Sequence, residues 1–168
     1  PSRRGGLLCA DCHEAVVTAQ QASLHGQAAA RGDALAPTCV TCHGGHAMLP
    51  ARDPRARTAV MNVPLLCGEC HKAGTEVSRF RDIPQEEILE HYADSIHGQG
   101  LFEKGLIVTA VCTSCHTAHF ILPHTDGRSS IAAKNLAATC MQCHGQIEKV
   151  HRKVIEGRLW EAEPHKIP

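Results

Sequence analysis

Cys39-Val40-Thr41-Cys42-His43 and Cys112-Thr113-Ser114-Cys115-His116 carry the same pattern, Cys-x-x-Cys-His. It occurs three more times, as Cys9-Ala10-Asp11-Cys12-His13, Cys67-Gly68-Glu69-Cys70-His71 and Cys140-Met141-Gln142-Cys143-His144. The five copies use all ten cysteines of the 168-residue chain. A disulfide framework would not keep ten cysteines at one fixed spacing. A thioredoxin-like redox motif occurs once, on a strand-to-helix turn. Zinc ribbons pair such motifs in twos and need no histidine after each second cysteine; here the number is odd and every copy carries the histidine.

What remains is the attachment signature of c-type haem. In that chemistry both thiols bond to the porphyrin, and the next histidine is the proximal iron ligand. The expectation is five haem c groups held by Cys9, Cys12, Cys39, Cys42, Cys67, Cys70, Cys112, Cys115, Cys140 and Cys143. The proximal ligands are then His13, His43, His71, His116 and His144.

Five haems would be about one for every 34 residues. With only three Phe, one Tyr and one Trp, the chain lacks the aromatic area that usually fills a core. Porphyrin plates would replace it, and their covalent links would restrict the unfolded chain as disulfides do. The expected fold is therefore mainly α with extensive loops, stapled by haem, with short helices and little or no sheet. Formal charge is zero, from 17 Lys+Arg against 17 Asp+Glu, and haem propionates would make the loaded protein acidic. Some arginines would pair with those propionates. There is no basic run or aromatic platform for nucleic acid and no apolar run long enough to span a bilayer. Haem attachment of this kind takes place outside the bacterial cytoplasmic membrane. The expected location is periplasmic or extracellular, with an export leader removed from or left out of this chain. Glu163-Pro164-His165-Lys166-Ile167-Pro168 reads like the lead-in to another site, as expected of a segment of a longer cytochrome.

A repeat organises the chain. Cys39 to Cys67 and Cys112 to Cys140 are both 28 residues. His46-x-x-Leu49-Pro50-x-x-Asp53-x-Arg55 and Asn62 match His119-x-x-Leu122-Pro123-x-x-Asp126-x-Arg128 and Asn135. Upstream, Ser23-Leu24-His25-Gly26-Gln27 matches Ser95-Ile96-His97-Gly98-Gln99. Duplicated units of this length stack as modules. Two are expected: residues 1–71 with three sites, and 72–168 with two sites, a C-terminal helix and a tail. A 14-residue insert, roughly Ala73 to Glu86, precedes a helix expected over Gln85–Ile96, with Pro84 in its first turn and Gly98 ending it.

These motifs resemble the multihaem cytochromes c of bacteria and some archaea, in particular the c7/c3-like repeats built on Ser-x-His-Gly and Cys-His-x-x-His. The resemblance covers nearly all of 9–165. It implies bis-histidine iron, closely spaced haems and electron transfer.

Thirteen histidines are present, so eight remain for distal positions. His46 and His119 follow a proximal histidine by three residues. Residues so spaced project from one side of a helix and cannot grip both faces of one iron, so each should ligate a neighbouring haem. His25 and His97 recur in matching Ser-x-His-Gly contexts and are candidates for the same role. In the third such slot Glu156 replaces the histidine. The fifth distal ligand is open. His151 comes first, on the helical stripe of Ile147, Val150, Val154 and Ile155; His165, His91, His124 or a histidine of another chain follow. Histidine on both sides implies potentials below those of His/Met sites.

The expected function is electron transfer along a haem chain, not catalysis, with other redox proteins or copies of this chain as partners. A nitrite, hydroxylamine or sulfur-oxyanion reductase would need one open iron. A structural subunit of a haem filament or respiratory complex is a third reading.

Overall fold

The computed structural model describes residues 5–81, 83–85 and 87–155, with side chains described over 9–145. Among the described residues the protein is helical and contains no strand, in agreement with the mainly α expectation. It divides into two compact units, Pro1–Pro123 and His124–Pro168. The first four Cys-x-x-Cys-His sites fall in the first unit and the fifth in the second. The 71/72 module boundary follows sequence repetition and lies inside the first compact unit.

The first unit contains α1 (Gly5–Ala22), α2 (Leu24–Ala30), α3 (Cys39–His43), α4 (Val63–His71), α5 (Glu76–Phe80), α6 (Ile88–Asp94), α7 (Ile96–Phe102) and α8 (Cys112–His116). A 3-10 turn, Val60–Asn62, leads into α4. The second unit contains α9 (Leu136–Ile155). Most helices are short, as expected, but α1 has 18 residues and α9 has 20.

Ser-x-His-Gly-Gln has a local physical meaning. Ser23 caps α2, its Oγ accepting from the Gly26 amide at 3.1 Å and donating to Gln20 O at 2.6 Å. Gln27 Nε2 donates back to Ala22 O. A Cβ on Gly26 would sit 2.0 Å from Gln20 O, so only glycine permits this crossing. Ser95 repeats the arrangement for α7: it accepts from the Gly98 amide at 3.1 Å and donates to Tyr92 O at 2.6 Å, and a Gly98 Cβ would lie 2.0 Å from Tyr92 O. The motif is thus a capped helix start pressed on the preceding helix, with histidine in the first turn.

The expected helix over Gln85–Ile96 is corrected by this geometry. The helix begins at Ile88, after Glu87 in the left-handed region (φ 57), and ends at Asp94. Ser95 then caps a new helix, and Gly98 lies inside it, buried by close packing. Pro84 precedes the helix rather than occupying its first turn.

Between sites, both repeats run as a staircase of three-residue turns. Asp53, Ala56, Ala59 and Asn62 donate their amides to Pro50, Asp53, Ala56 and Ala59 carbonyls in turn; Ser129, Ala132 and Asn135 do the same from Asp126 onward. The small residues Ala56, Ala59, Ser129 and Ala132 are buried at matching steps. Asn62 Nδ2 bonds Pro54 O and Ala56 O, and Asn135 Nδ2 bonds Gly127 O and Ser129 O. Asp53 clasps Arg55, and Asp126 clasps Arg128, through paired bonds of 2.7–3.1 Å.

The apolar core is small. Val63, Leu101 and Val111 are buried together, with Cys67, Tyr92 and Cys112 packed against them. Tyr92 donates to Ala110 O at 3.1 Å and meets Phe102 edge to face. Among the described residues of the first unit, Val17, Ala56, Ala59, Pro64 and Leu122 are also buried, none of them aromatic.

Candidate cofactor site: paired histidines over the Cys-x-x-Cys-His turns

Each Cys-x-x-Cys-His motif lies in a helix. In α3, α4 and α8 the motif histidine is the last helical residue. In α1 the chain kinks at His13 (φ −124, ψ 40). In α9 the motif at Cys140 lies within the continuous helix. A helical turn sets the two cysteines, three apart, on one side and the histidine, four after the first, on the same side. That is the disposition needed for two thioether links and one axial ligand on a single plate.

The second and fourth sites share their entry and exit. The Thr38 amide donates to Thr41 Oγ1 at 3.0 Å, and the Val111 amide to Ser114 Oγ at 3.1 Å. After the histidine the chain leaves through a positive φ, at Gly44 (φ 82, ψ 165) and at Thr117 (φ 65, ψ 169). This corrects the premise that His43 and His46, or His116 and His119, lie on one helix. The helix has already ended, and the histidine three residues on is carried away by the left-handed step.

The ring centroids of His43 and His119 lie 6.0 Å apart, with the ring planes 9° from parallel. His25 and His71 form a second pair, 6.1 Å apart and tilted by 36°. Two imidazoles that bonded a single metal between them, each at about the 2.0–2.1 Å of a zinc–imidazole bond and with the centroid about 1 Å behind the nitrogen, would hold their centroids roughly 6 Å apart. Both pairs join a motif histidine to a candidate distal histidine from another segment. The residues therefore fit bis-histidine haem at these two sites.

The electrostatics agree. Burial, then the neighbouring His71, lowers the pKa of His25; burial, then His116, lowers that of His71; burial, then His43, lowers that of His119. Burial also lowers His116. Neutral imidazole is the form that ligates a metal. His71 Nδ1 is buried and has no hydrogen-bond partner among the described residues, an unsatisfied polar atom of the kind that asks for a further group.

The thiols also meet across sites. Cys67 and Cys112 pack on the same core; their interaction, then burial, raises the Cys67 pKa, and the same interaction lowers that of Cys112 against the opposing effect of burial. Cys39 approaches Cys9, and its pKa is raised chiefly by burial and then by Cys9. None of the ten cysteines is in a disulfide. Among the described residues no three His, Cys, Asp or Glu side chains converge as a metal-binding group. A structural zinc needs four such donors together, whereas the arrangement here is one of imidazole pairs.

The other sequence candidates are distributed as follows. His13 and His144 are exposed, and His97 is half-buried in the first turn of α7. His46 is exposed, as are His91 and His124. His151 lies in α9, but its side chain is outside the described ones; Glu156 and His165 fall outside the described residues altogether. Sequence reasoning missed the Cys67–Cys112 and Cys9–Cys39 contacts, for which no local signal exists. It also missed the left-handed exits, for which Gly44 was an available sign. No protein family, curated protein or solved structure matches this chain.

Proposed function

We propose that this chain is an exported electron-transfer protein carrying five covalently attached c-type haems, with histidine on both faces of the irons. The supporting observation is the approach of His119 to His43 and of His25 to His71 at the span of two imidazoles across one metal. The five attachment motifs and their complete use of cysteine supply the other half of the argument. Haem provides the one-electron chemistry, and the chain provides spacing, ligand identity and surroundings. With both axial positions taken by protein, substrates have no open iron to bind, so the reading is a carrier and not an enzyme.

The surface supports the same reading. Leu24 and Ile96, beside His25 and His97, are 41% and 80% exposed, and Val40, Leu65 and Met141, inside or beside the motifs, are also exposed. Porphyrin plates bound at these motifs would cover such side chains. The partners are other redox proteins or further copies of this chain. Among the described residues no helix is long and apolar enough to cross a membrane. The test is the visible spectrum of the protein from cells competent in cytochrome c maturation. Five low-spin haems per chain are expected, and a high-spin iron that turns over nitrite or hydroxylamine would move the reading to a reductase.

A further inference from the structure

The four sites of the first unit pack in consecutive pairs, but the link between the pairs departs from chain order. The helices of the first and second sites, α1 and α3, pack together, and those of the third and fourth, α4 and α8, do likewise. Cys67 and Cys112 share the core of Val63, Leu101 and Val111. The two halves are joined by His119, which leaves the fourth site three residues after His116 and meets His43 of the second, although Cys39 and Cys112 are 73 residues apart. The Leu24 amide donates to Ile121 O at 2.9 Å, tying the segment after His119 to the start of α2. Thr117 holds a left-handed backbone that a residue with a Cβ adopts at some cost. It does so at the step where the chain must turn from His116 toward His43.

We propose that the second and fourth sites form a ligand-sharing pair and that the third joins through the fourth, so that the sites are ordered in space first, second, fourth, third. This rests on the cytochrome reading above. A His119 that ligates one iron and follows the proximal ligand of another by three residues forces those two irons to be close. The second and third sites also approach one another, through Arg57 and Glu69 at 2.7 Å, but these side chains are 45% and 54% exposed. Exposed pairs of this kind hold little. Cys42 also lies near Cys67 and Cys70, but α4 packs against α8 and not comparably against α3, and the ring contact of the second site is His43 with His119. Electrons passing through this unit would therefore not follow the order of the motifs along the chain.

The test uses the haem-loaded protein. Covalent haem is counted first, and fewer than five per chain would overturn the cytochrome reading itself. Given five, His119→Ala should convert one low-spin ferric haem to high-spin. In a background lacking the second haem (C39A/C42A), the same substitution should produce no new high-spin iron. In that background a new high-spin iron would overturn the pairing while leaving the cytochrome reading intact. His119→Met keeps a ligand in place. It should raise one haem potential in the parent and none in the background lacking the second haem; a rise in that background would also overturn the pairing. In a crystal structure of the holoprotein, the second-to-fourth and third-to-fourth iron distances should both be shorter than the second-to-third. A second-to-third distance shorter than either would overturn the order.

Discussion

His43 and His119 come from motifs in different halves of the sequence, yet their rings lie 6.0 Å apart and within 9° of parallel. Ordinary aromatic pairing prefers offset or edge-to-face contact at comparable distances. What distinguishes this pair is its chemistry: one ring follows a Cys-x-x-Cys turn and the other follows a second such turn by three residues.

The matching pair gives a first prediction. His25→Ala should leave five covalent haems but convert about one-fifth of the ferric haem signal from low-spin to high-spin, because the histidine facing His71 is gone. Electron paramagnetic resonance of the oxidised protein reads this directly. An unchanged spectrum would count against His25 as a ligand.

The capped crossing that carries His25 gives a second. Gly26→Ala places a Cβ 2.0 Å from Gln20 O, and Gly98→Ala does the same to Tyr92 O. Backbone cannot yield as a side chain does, so each change should cost at least the about 1–3 kcal/mol of ordinary overpacking. Gly45→Ala meets nothing within 4 Å and should stay within about 0.5 kcal/mol of the parent. Thermal unfolding of the holoprotein compares the three.

The staircase turns give a third. Asn62→Ala removes two side-chain bonds to the carbonyls of Pro54 and Ala56, and Asn135→Ala removes the two to Gly127 and Ser129. Each loss should destabilise by about 1–3 kcal/mol. Near-equal effects at the two positions, by thermal unfolding, would show that the repeat is energetic as well as sequential.

How far the sequence could be read is visible in these same elements. The helical class and the Ser-x-His-Gly repeat were legible, because capping and helix geometry fix residue type at fixed spacing. The break at Ser95 was not. Gly98 can end a helix or allow a close crossing, and only the backbone of Tyr92 decides between them. The i, i+3 argument for His119 reached a neighbouring site through a wrong premise, since the helix stops at His116 and Thr117 turns the chain. Which thiol meets which, Cys67 with Cys112 or Cys9 with Cys39, depends on packing between segments and leaves no periodic trace. His46 and His119 are equivalent in sequence, but only His119 is paired with another ring among the described residues.

A fourth prediction concerns acid. Arg81 and the Leu35 amide hold the Asp33 carboxyl down to about 2. A carboxyl with a depressed folded pKa contributes stability above its unfolded value, about 4, and loses it as pH falls toward 2. The Asp33–Arg81 pair ties the insert to the loop after α2. Asp33→Asn should therefore weaken the protein at neutral pH and flatten the fall in melting temperature between pH 4 and about 2. The effect should be small, because the pair is accessible to solvent and salt. An unaltered acid profile in the variant would show that other carboxylates set it.

The central claim is that ten cysteines hold five haems. Intact mass of the denatured protein, expressed with the cytochrome c maturation machinery, tests it most directly. The account predicts the polypeptide mass plus five covalently retained haems, with no free thiol left to alkylate. A mass equal to the bare polypeptide, or to the polypeptide with zinc removed by acid and ten alkylatable thiols, would contradict it.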